Sequence, residues 1–204
     1  MSDLASMKTA GGHHFDKYRS GNPFIRLLVG GYLDAVTAFV REAEPESVVD
    51  VGCGEGYVMR HLKGAGVKAH FTGFDVSYRI LEGDARPRNR GGAFACASAS
   101  ALPVDDSSFD LVLLCEVLEH LSDPDGALIE ARRVSRRFVL VTVPNEPYWR
   151  IANVLRLRYL SDFGNTPGHI HHYTKKKLEE LLRGHFRRVR MMYSTIWIIA
   201  LCEV

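Results

Sequence analysis

Apolar runs alternate with helical hydrophobic patterns along most of this chain of 204 residues. Short runs rich in apolar residues are typical of strands, whereas apolar residues spaced three to four apart are typical of helices. The predicted strands are Ser47–Val51, Lys68–Phe74, Ala93–Ala97, Ser108–Cys115, Arg137–Val143, Arg187–Tyr193 and Trp197–Cys202. The predicted helices are Phe24–Val40, Tyr57–Gly64, Pro124–Val134 and Lys175–Leu182.

This alternation predicts an α/β fold with a doubly wound, mostly parallel sheet and right-handed crossovers. Only a turn separates the last two predicted strands, so these two must pair antiparallel. We therefore expect a seven-stranded sheet with one antiparallel strand near the C-terminus.

The length of the chain predicts a single domain over residues 1–204. Hydrophobic residues make up 46% and charged residues 25%, which are ordinary globular fractions, so disorder is not expected. A net charge of +2 is too small to indicate a nucleic-acid partner or an acidic membrane surface. The sequence leaves open whether the protein is a monomer or a homodimer.

The four cysteines lie far apart and form no C-x-x-C pair, so they suggest neither a zinc site nor a disulfide framework. Residues Met1–Gly12 carry no signal-peptide pattern. Together these observations predict a reduced, cytoplasmic protein. The apolar run Ile196–Cys202 is too short to span a bilayer and fits a sheet strand, so no membrane span is expected.

A glycine-rich loop follows the first predicted strand. Val48–Val51 contains Asp50 and runs into Gly52, Gly54 and Gly56. Glycine lets a loop backbone adopt positive φ and approach a ligand closely. The dinucleotide-binding pattern is G-x-G-x-x-G, and here the third glycine comes one residue earlier. The spacing therefore favours a different ligand.

Three segments carry a family resemblance. Residues Asp50–Gly56 resemble the D-x-G-x-G-x-G loop of class I S-adenosylmethionine-dependent methyltransferases. Ala97–Val112 is similar to the D-A-x-x-L-P-F-x-x-x-S-F-D-x-V segment of that family, and Cys115–Leu121 is similar to its E-V-L-E-H-x segment. The resemblance covers about residues 46–143. It implies a Rossmann-like fold and S-adenosyl-L-methionine as cofactor. Within the family, the resemblance is to the type-11 methyltransferases that act on small molecules.

The resemblance also implies cofactor contacts at the strand ends. In open α/β sheets the ligand lies beyond the carboxyl ends of the strands. The glycine loop and Asp50 would hold the amino-acid end of the cofactor. Asp75 would accept hydrogen bonds from the ribose hydroxyls of the cofactor. The family has an aspartate where this chain has Ser98, so the Ser98 hydroxyl or the Ala99 amide would meet the adenine. The implied cofactor-binding residues are Asp50, Gly52, Gly54, Gly56, Asp75, Val76, Ser98, Ala99, Cys115 and Glu116.

Catalysis needs little more than positioning, because the sulfonium already activates the methyl group. A hydroxyl acceptor has a high pKa and needs a base or a metal, and histidine is the natural base near neutral pH. The candidate catalytic residues are His120, His171 and His172. In some small-molecule O-methyltransferases of the resembled family, a histidine at the position of His120 is the base, whereas in many other members it is a structural residue packed on the helix.

Two alternatives remain for the histidines. The three histidines at 169, 171 and 172, with Glu116 or Glu119, could bind a divalent metal, although their spacing alone does not assign one. His171 and Tyr173 could instead cap and staple the helix that follows. No metal is therefore assigned.

Two segments are expected to flank the site. Residues 1–45 would form an N-terminal arm and helix that cover the cofactor site. Residues 144–173 are long for a strand-to-helix connection and are expected to form an insertion loop on the acceptor side.

The sequence thus predicts methyl transfer from S-adenosylmethionine to a small-molecule acceptor, with O-methylation and a histidine base as the first hypothesis. The alternatives are N-methylation of a small amine or a protein side chain, and a non-catalytic regulatory protein that binds the cofactor.

Overall fold

The structure is a computed structural model that describes residues 17–85, 92–146, 148–149, 168–194 and 196–204. The helices are α1 (Pro23–Ala43), α2 (Tyr57–Gly64), α3 (Pro124–Val134) and α4 (Lys175–Arg183). The strands are β1 (Ser47–Val51), β2 (His70–Asp75), β3 (Ala93–Cys96), β4 (Phe109–Cys115), β5 (Ser135–Pro144), β6 (Arg188–Ser194) and β7 (Trp197–Glu203). Short helical turns lie at Lys17–Arg19, Tyr78–Ile80, Leu81–Ala85 and Leu118–His120.

The seven strands form one sheet in the order β3-β2-β1-β4-β5-β7-β6. The pairs that link β3 through β5 are parallel, whereas β7 runs antiparallel to both β5 and β6. The predicted mostly parallel sheet with one antiparallel C-terminal strand is therefore confirmed. The strand order reverses between β1 and β4, and such a switch point opens a crevice at the carboxyl ends of the strands.

The central strands are buried on both faces, as parallel strands covered by helices must be. Alternate residues of a strand point to opposite faces. Leu111 and Leu113 of β4 pack in one apolar cluster with α1 and α2, and Val112 and Leu114 pack in the other with α3 and α4. The protein therefore has three layers, with the sheet between two pairs of helices.

Helix α1 begins with a recognisable cap. The Asn22 side chain accepts a hydrogen bond from the Phe24 amide, and Pro23 occupies the first helical position. By length and composition α1 is apolar enough to cross a membrane, a test that core helices also pass. Its buried residues, among them Tyr32 and Val36, belong to the cluster that also holds side chains of β1 and β4.

The predicted elements differ from the observed ones mainly at their ends. Strand β2 begins at His70 rather than at Lys68, and β5 begins at Ser135 rather than at Arg137. Much of the expected N-terminal arm, residues 1–16, and the middle of the expected insertion loop, residues 150–167, lie outside the described residues.

Candidate cofactor and acceptor site

The glycine loop leaves β1 with three residues at positive φ. Gly52, Gly54 and Gly56 have φ values of 74°, 50° and 69°. A Cβ on Gly52 would lie 2.6 Å from Cγ2 of Val117, so a side chain there would collide with the turn that follows β4. A Cβ on Gly54 would meet no atom within 4 Å. Gly54 is therefore where the loop backbone lies open to a ligand.

Asp75 at the end of β2 holds this loop in place. One carboxylate oxygen accepts a hydrogen bond from the Gly54 amide at 2.8 Å, and the other accepts one from the Ser77 amide at 2.8 Å. Each oxygen keeps a second lone pair, so the carboxylate can also accept hydrogen bonds from the two hydroxyls of a ribose. The next residue, Val76, is 42% exposed and lies beside this carboxylate.

Asp50 is a buried acid beside the glycine loop, with 2% of its surface exposed. Burial and the nearby Asp75 carboxylate raise the pKa of Asp50 to about 8. A cation bound nearby would favour the charged form and lower this pKa. The residues therefore fit S-adenosylmethionine, whose ammonium group would supply that charge while the open side of Gly54 receives the ligand.

Ser98 and Ala99 follow β3 as expected, in a short turn. Ser98 is exposed, and its hydroxyl lies 3.1 Å from that of Ser100. A serine hydroxyl both donates and accepts, so this contact leaves Ser98 able to bond to a further group.

Cys115 and Glu116 lie where β4 leaves the sheet. Glu116 has a φ of 58°, a left-handed conformation that non-glycine residues adopt uncommonly. Its carboxylate accepts a hydrogen bond from the Trp197 indole and pairs with the Lys17 ammonium. Burial and Asp50 raise the pKa of the Cys115 thiol, which therefore stays neutral.

The turn Lys17–Arg19 lies over the glycine loop. The Tyr18 ring stacks on Tyr57 with centroids 4.6 Å apart, and Arg19 pairs with Glu55 at 2.5 Å. The Lys17 ammonium lies 5.6 Å from the Trp149 ring and 5.4 Å from the Trp197 ring. In the described part of residues 1–45, Tyr18 and Arg19 thus contact the glycine loop and the start of α2, and Lys17 contacts Glu116.

A second group of acidic and histidine side chains follows Glu116. Glu119 and His120 end the turn Leu118–His120, and the Glu119 carbonyl accepts hydrogen bonds from the amides of Ile170 and His171. These bonds bring His169 beside His120, with ring centroids 4.9 Å apart. One potential ligand atom from each of Glu119, His120 and His169 lies within 4.8 Å of the other two.

His171 and His172 lie farther along the same segment. The His171 ring lies 6.1 Å from the Tyr173 ring, and the His172 Nδ1 atom is 3.7 Å from a carboxylate oxygen of the buried Glu146. The helix α4 is capped by Thr174, whose hydroxyl accepts a hydrogen bond from the Lys177 amide. Neither histidine is therefore needed as the cap.

Sequence reasoning did not identify Lys17, Tyr18 or Trp197 as residues of the site. No local sequence pattern identifies them as site residues. Lys17 and Tyr18 precede any predicted element, and Trp197 has the pattern of an ordinary strand residue. Its place follows from register: Trp197 pairs with Pro144, so it lies at the carboxyl end of β5.

The sequence is similar to those of known methyltransferases. Residues 49–138 match the family model of a methyltransferase domain. Malonyl-[acyl-carrier protein] O-methyltransferase of Hahella chejuensis is 33% identical over 104 residues, which are 50% of this chain and 37% of that protein. Demethylmenaquinone methyltransferase of Thermotoga maritima is 36% identical over 102 residues, which are 50% of this chain and 44% of that protein. The chain thus spans less than half the length of these two relatives.

The fold likeness extends over nearly the whole chain. The crystal structure of an S-adenosylmethionine-dependent methyltransferase from Aquifex aeolicus superposes with a TM-score of 0.68 at 18% identity. It covers 94% of this chain and 100% of that one.

Proposed function

Because residues 49–138 form a methyltransferase domain of the class I S-adenosylmethionine-dependent family, we propose that this chain transfers a methyl group from that cofactor to a hydroxyl of a small molecule. One contact carries the proposal. Gly52 of the cofactor loop and Val117 are so close that a Cβ on Gly52 would lie 2.6 Å from the Val117 side chain. The turn that bears Glu119 and His120 therefore begins directly beside the cofactor loop.

On the cofactor side, residues of this chain bind S-adenosylmethionine and orient it. Bound S-adenosylmethionine supplies a methyl group that its sulfonium has already activated. Asp50 takes the ammonium end, Asp75 takes the ribose hydroxyls, and Ser98 with Ala99 meets the adenine. The glycine loop, with Val76, Cys115 and Glu116, completes the enclosure.

On the acceptor side, Trp149 packs edge-on against the buried Trp197, with ring centroids 5.3 Å apart, and the pair offers one apolar surface. The candidates for handling the acceptor's proton are His120, His171 and His172. The Glu146 carboxylate lies 3.7 Å from the Nδ1 atom of His172. By their names, the relatives in Hahella and Thermotoga methylate malonyl-[acyl-carrier protein], at oxygen, and demethylmenaquinone. They support an acceptor of metabolite type for this chain.

The proposed setting follows from the same features. All four cysteines are free thiols, which suits a reducing cytoplasm. We propose a monomer or homodimer there that binds a small-molecule acceptor, and neither nucleic acid nor a membrane.

The decisive experiment incubates the protein with methyl-labelled S-adenosylmethionine and a metabolite extract, and identifies the labelled product by mass spectrometry. We expect label on the oxygen of a small molecule. Cofactor binding without transfer to any component, in the presence of added divalent cations, would contradict the proposal and favour a regulatory protein.

One observation favours a second function, N-methylation of a small amine. The Lys17 ammonium lies 5.6 Å from the Trp149 ring centroid and 5.4 Å from the Trp197 ring centroid, and it pairs with Glu116. Aromatic faces with a carboxylate form a site that suits an amine substrate as well as a lysine. Label found on nitrogen, with a pH–rate profile that is flat through the histidine range, would favour this alternative.

A further inference from the structure

Glu119 is a buried acid without an adequate partner. Its exposed fraction is 1%, and no described residue donates a hydrogen bond to either carboxylate oxygen. The Lys17 ammonium pairs with Glu116 instead. A buried carboxylate in this condition is costly unless a cation or a proton neutralises it.

His120 is oriented as metal-binding histidines are. Its Nδ1 atom lies 2.9 Å from the Gly168 carbonyl oxygen. A carbonyl can only accept, so the neutral ring carries its proton on Nδ1 and its lone pair on Nε2. A backbone carbonyl that fixes one ring nitrogen in this way is the usual support for a histidine that ligates through the other.

His169 lies beside Glu119 and His120, although it belongs to a distant part of the chain. Its exposed fraction is 9%, and its ring stands edge-on to that of His120 at 78°. The amides of Ile170 and His171 donate to the Glu119 carbonyl at 2.9 Å and 3.2 Å. The backbone therefore holds His169 against Glu119 and His120 independently of any side-chain contact.

We propose that Glu119, His120 and His169 bind a divalent transition-metal cation. Two imidazoles and one carboxylate are a ligand set suited to Zn²⁺, Mn²⁺ or Co²⁺, and three protein ligands leave a coordination position open. Ligand atoms about 2.0–2.2 Å from a shared ion lie at most about 4.4 Å apart. The three side chains already place one ligand atom each within 4.8 Å of the others, so small rotations complete the site.

The role of the cation rests on the proposed function, whereas its binding does not. A cation beside the acceptor would act as a Lewis acid and lower the pKa of the acceptor hydroxyl, whose proton would then leave to solvent or to His172. His120 would contribute as a ligand rather than as the base itself.

The test uses metal-depleted full-length protein titrated with Co²⁺, followed by its visible absorption and by calorimetry. We expect one Co²⁺ per chain with the absorption of a site of low coordination number. Glu119→Gln and His169→Asn should each weaken binding by more than about tenfold. His185→Asn is the matched control, because His185, in the turn after α4, pairs with Asp125 of α3 and its replacement should leave binding unchanged.

Folding of each variant is checked by its affinity for S-adenosylhomocysteine in the same samples. Equal Co²⁺ affinity in all four proteins, or no saturable binding to the unmodified chain, would overturn the metal site. Because methyl transfer is measured separately, Co²⁺ binding to the described site without any labelled product would count against the proposed function alone.

Discussion

The cofactor half and the acceptor half of the site are built in opposite ways. The cofactor half comes from consecutive βα turns, and backbone groups do much of the work: the Gly54 amide meets Asp75, and the amides of Gly52 and Cys53 both donate to the Phe74 carbonyl. The acceptor half is assembled from side chains at Lys17, Glu119, His120, Trp149, His169–His172 and Trp197. A site made by backbone turns leaves a pattern in one stretch of sequence, whereas a site made by distant side chains does not.

The largest expected effect tests whether the acceptor half acts on turnover alone. His120→Gln should lower kcat by about a hundredfold or more, because it removes either the group that handles the acceptor proton or a ligand of the proposed cation. Affinity for S-adenosylhomocysteine should stay the same, because His120 lies beyond Glu116 and contacts Gly168 and His169 instead. His172→Asn should show the same separation if His172 receives the proton.

Steady-state kinetics with the labelled acceptor, and calorimetry with S-adenosylhomocysteine, measure the two quantities. His185→Asn is again the control. A variant that loses both turnover and cofactor affinity would mean that the two halves are not separable at His120.

The next effect concerns the ribose contact of the cofactor half. Asp75→Ala should weaken S-adenosylhomocysteine binding by about 2–3 kcal/mol, because it removes hydrogen bonds to a charged acceptor and releases the Gly54 amide. Asp105→Ala, in an exposed loop, is the control. Calorimetric titration that gave an unchanged affinity for Asp75→Ala would exclude the ribose assignment.

The predictions for His120 and Asp75 differ in how much of each could be made from the sequence alone. The order of strands and helices, the glycine loop and Asp75 could be predicted, since each depends on local periodicity or on turn chemistry. His169 was visible as one of several histidines, but its contact with His120 depends on amides that bond to the Glu119 carbonyl 50 or so residues earlier. Trp197 depends on the β5–β7 register, which no local pattern encodes.

Two glycines of one loop offer a finer comparison. Gly52→Ala should destabilise the fold by about 1–3 kcal/mol, because its Cβ would collide with Val117 at a positive φ. In Gly54→Ala the added Cβ has space, so the substitution carries only a conformational penalty of about 1 kcal/mol. Its main effect should be a lower affinity for the cofactor. Denaturant unfolding and calorimetry of both variants measure this; a larger stability loss for Gly54→Ala would contradict the packing argument.

The smallest effect is a proton released when the cofactor half binds a cation. Burial and Asp75 raise the pKa of Asp50 to about 8, so the folded chain holds a proton at pH 7 that the unfolded chain has lost. Stability of the ligand-free protein should therefore fall as pH rises from about 4 to about 8, by at most about 1.4 kcal/mol per pH unit. Asp50→Asn removes the contribution of Asp50 to this slope and leaves that of Glu119, whose pKa burial also raises. Because a bound ammonium favours the charged carboxylate, cofactor binding at pH 7 should release up to about one proton. Calorimetry in buffers of different ionisation enthalpy measures that number, and the same number in Asp50→Asn would show that the proton comes from another group.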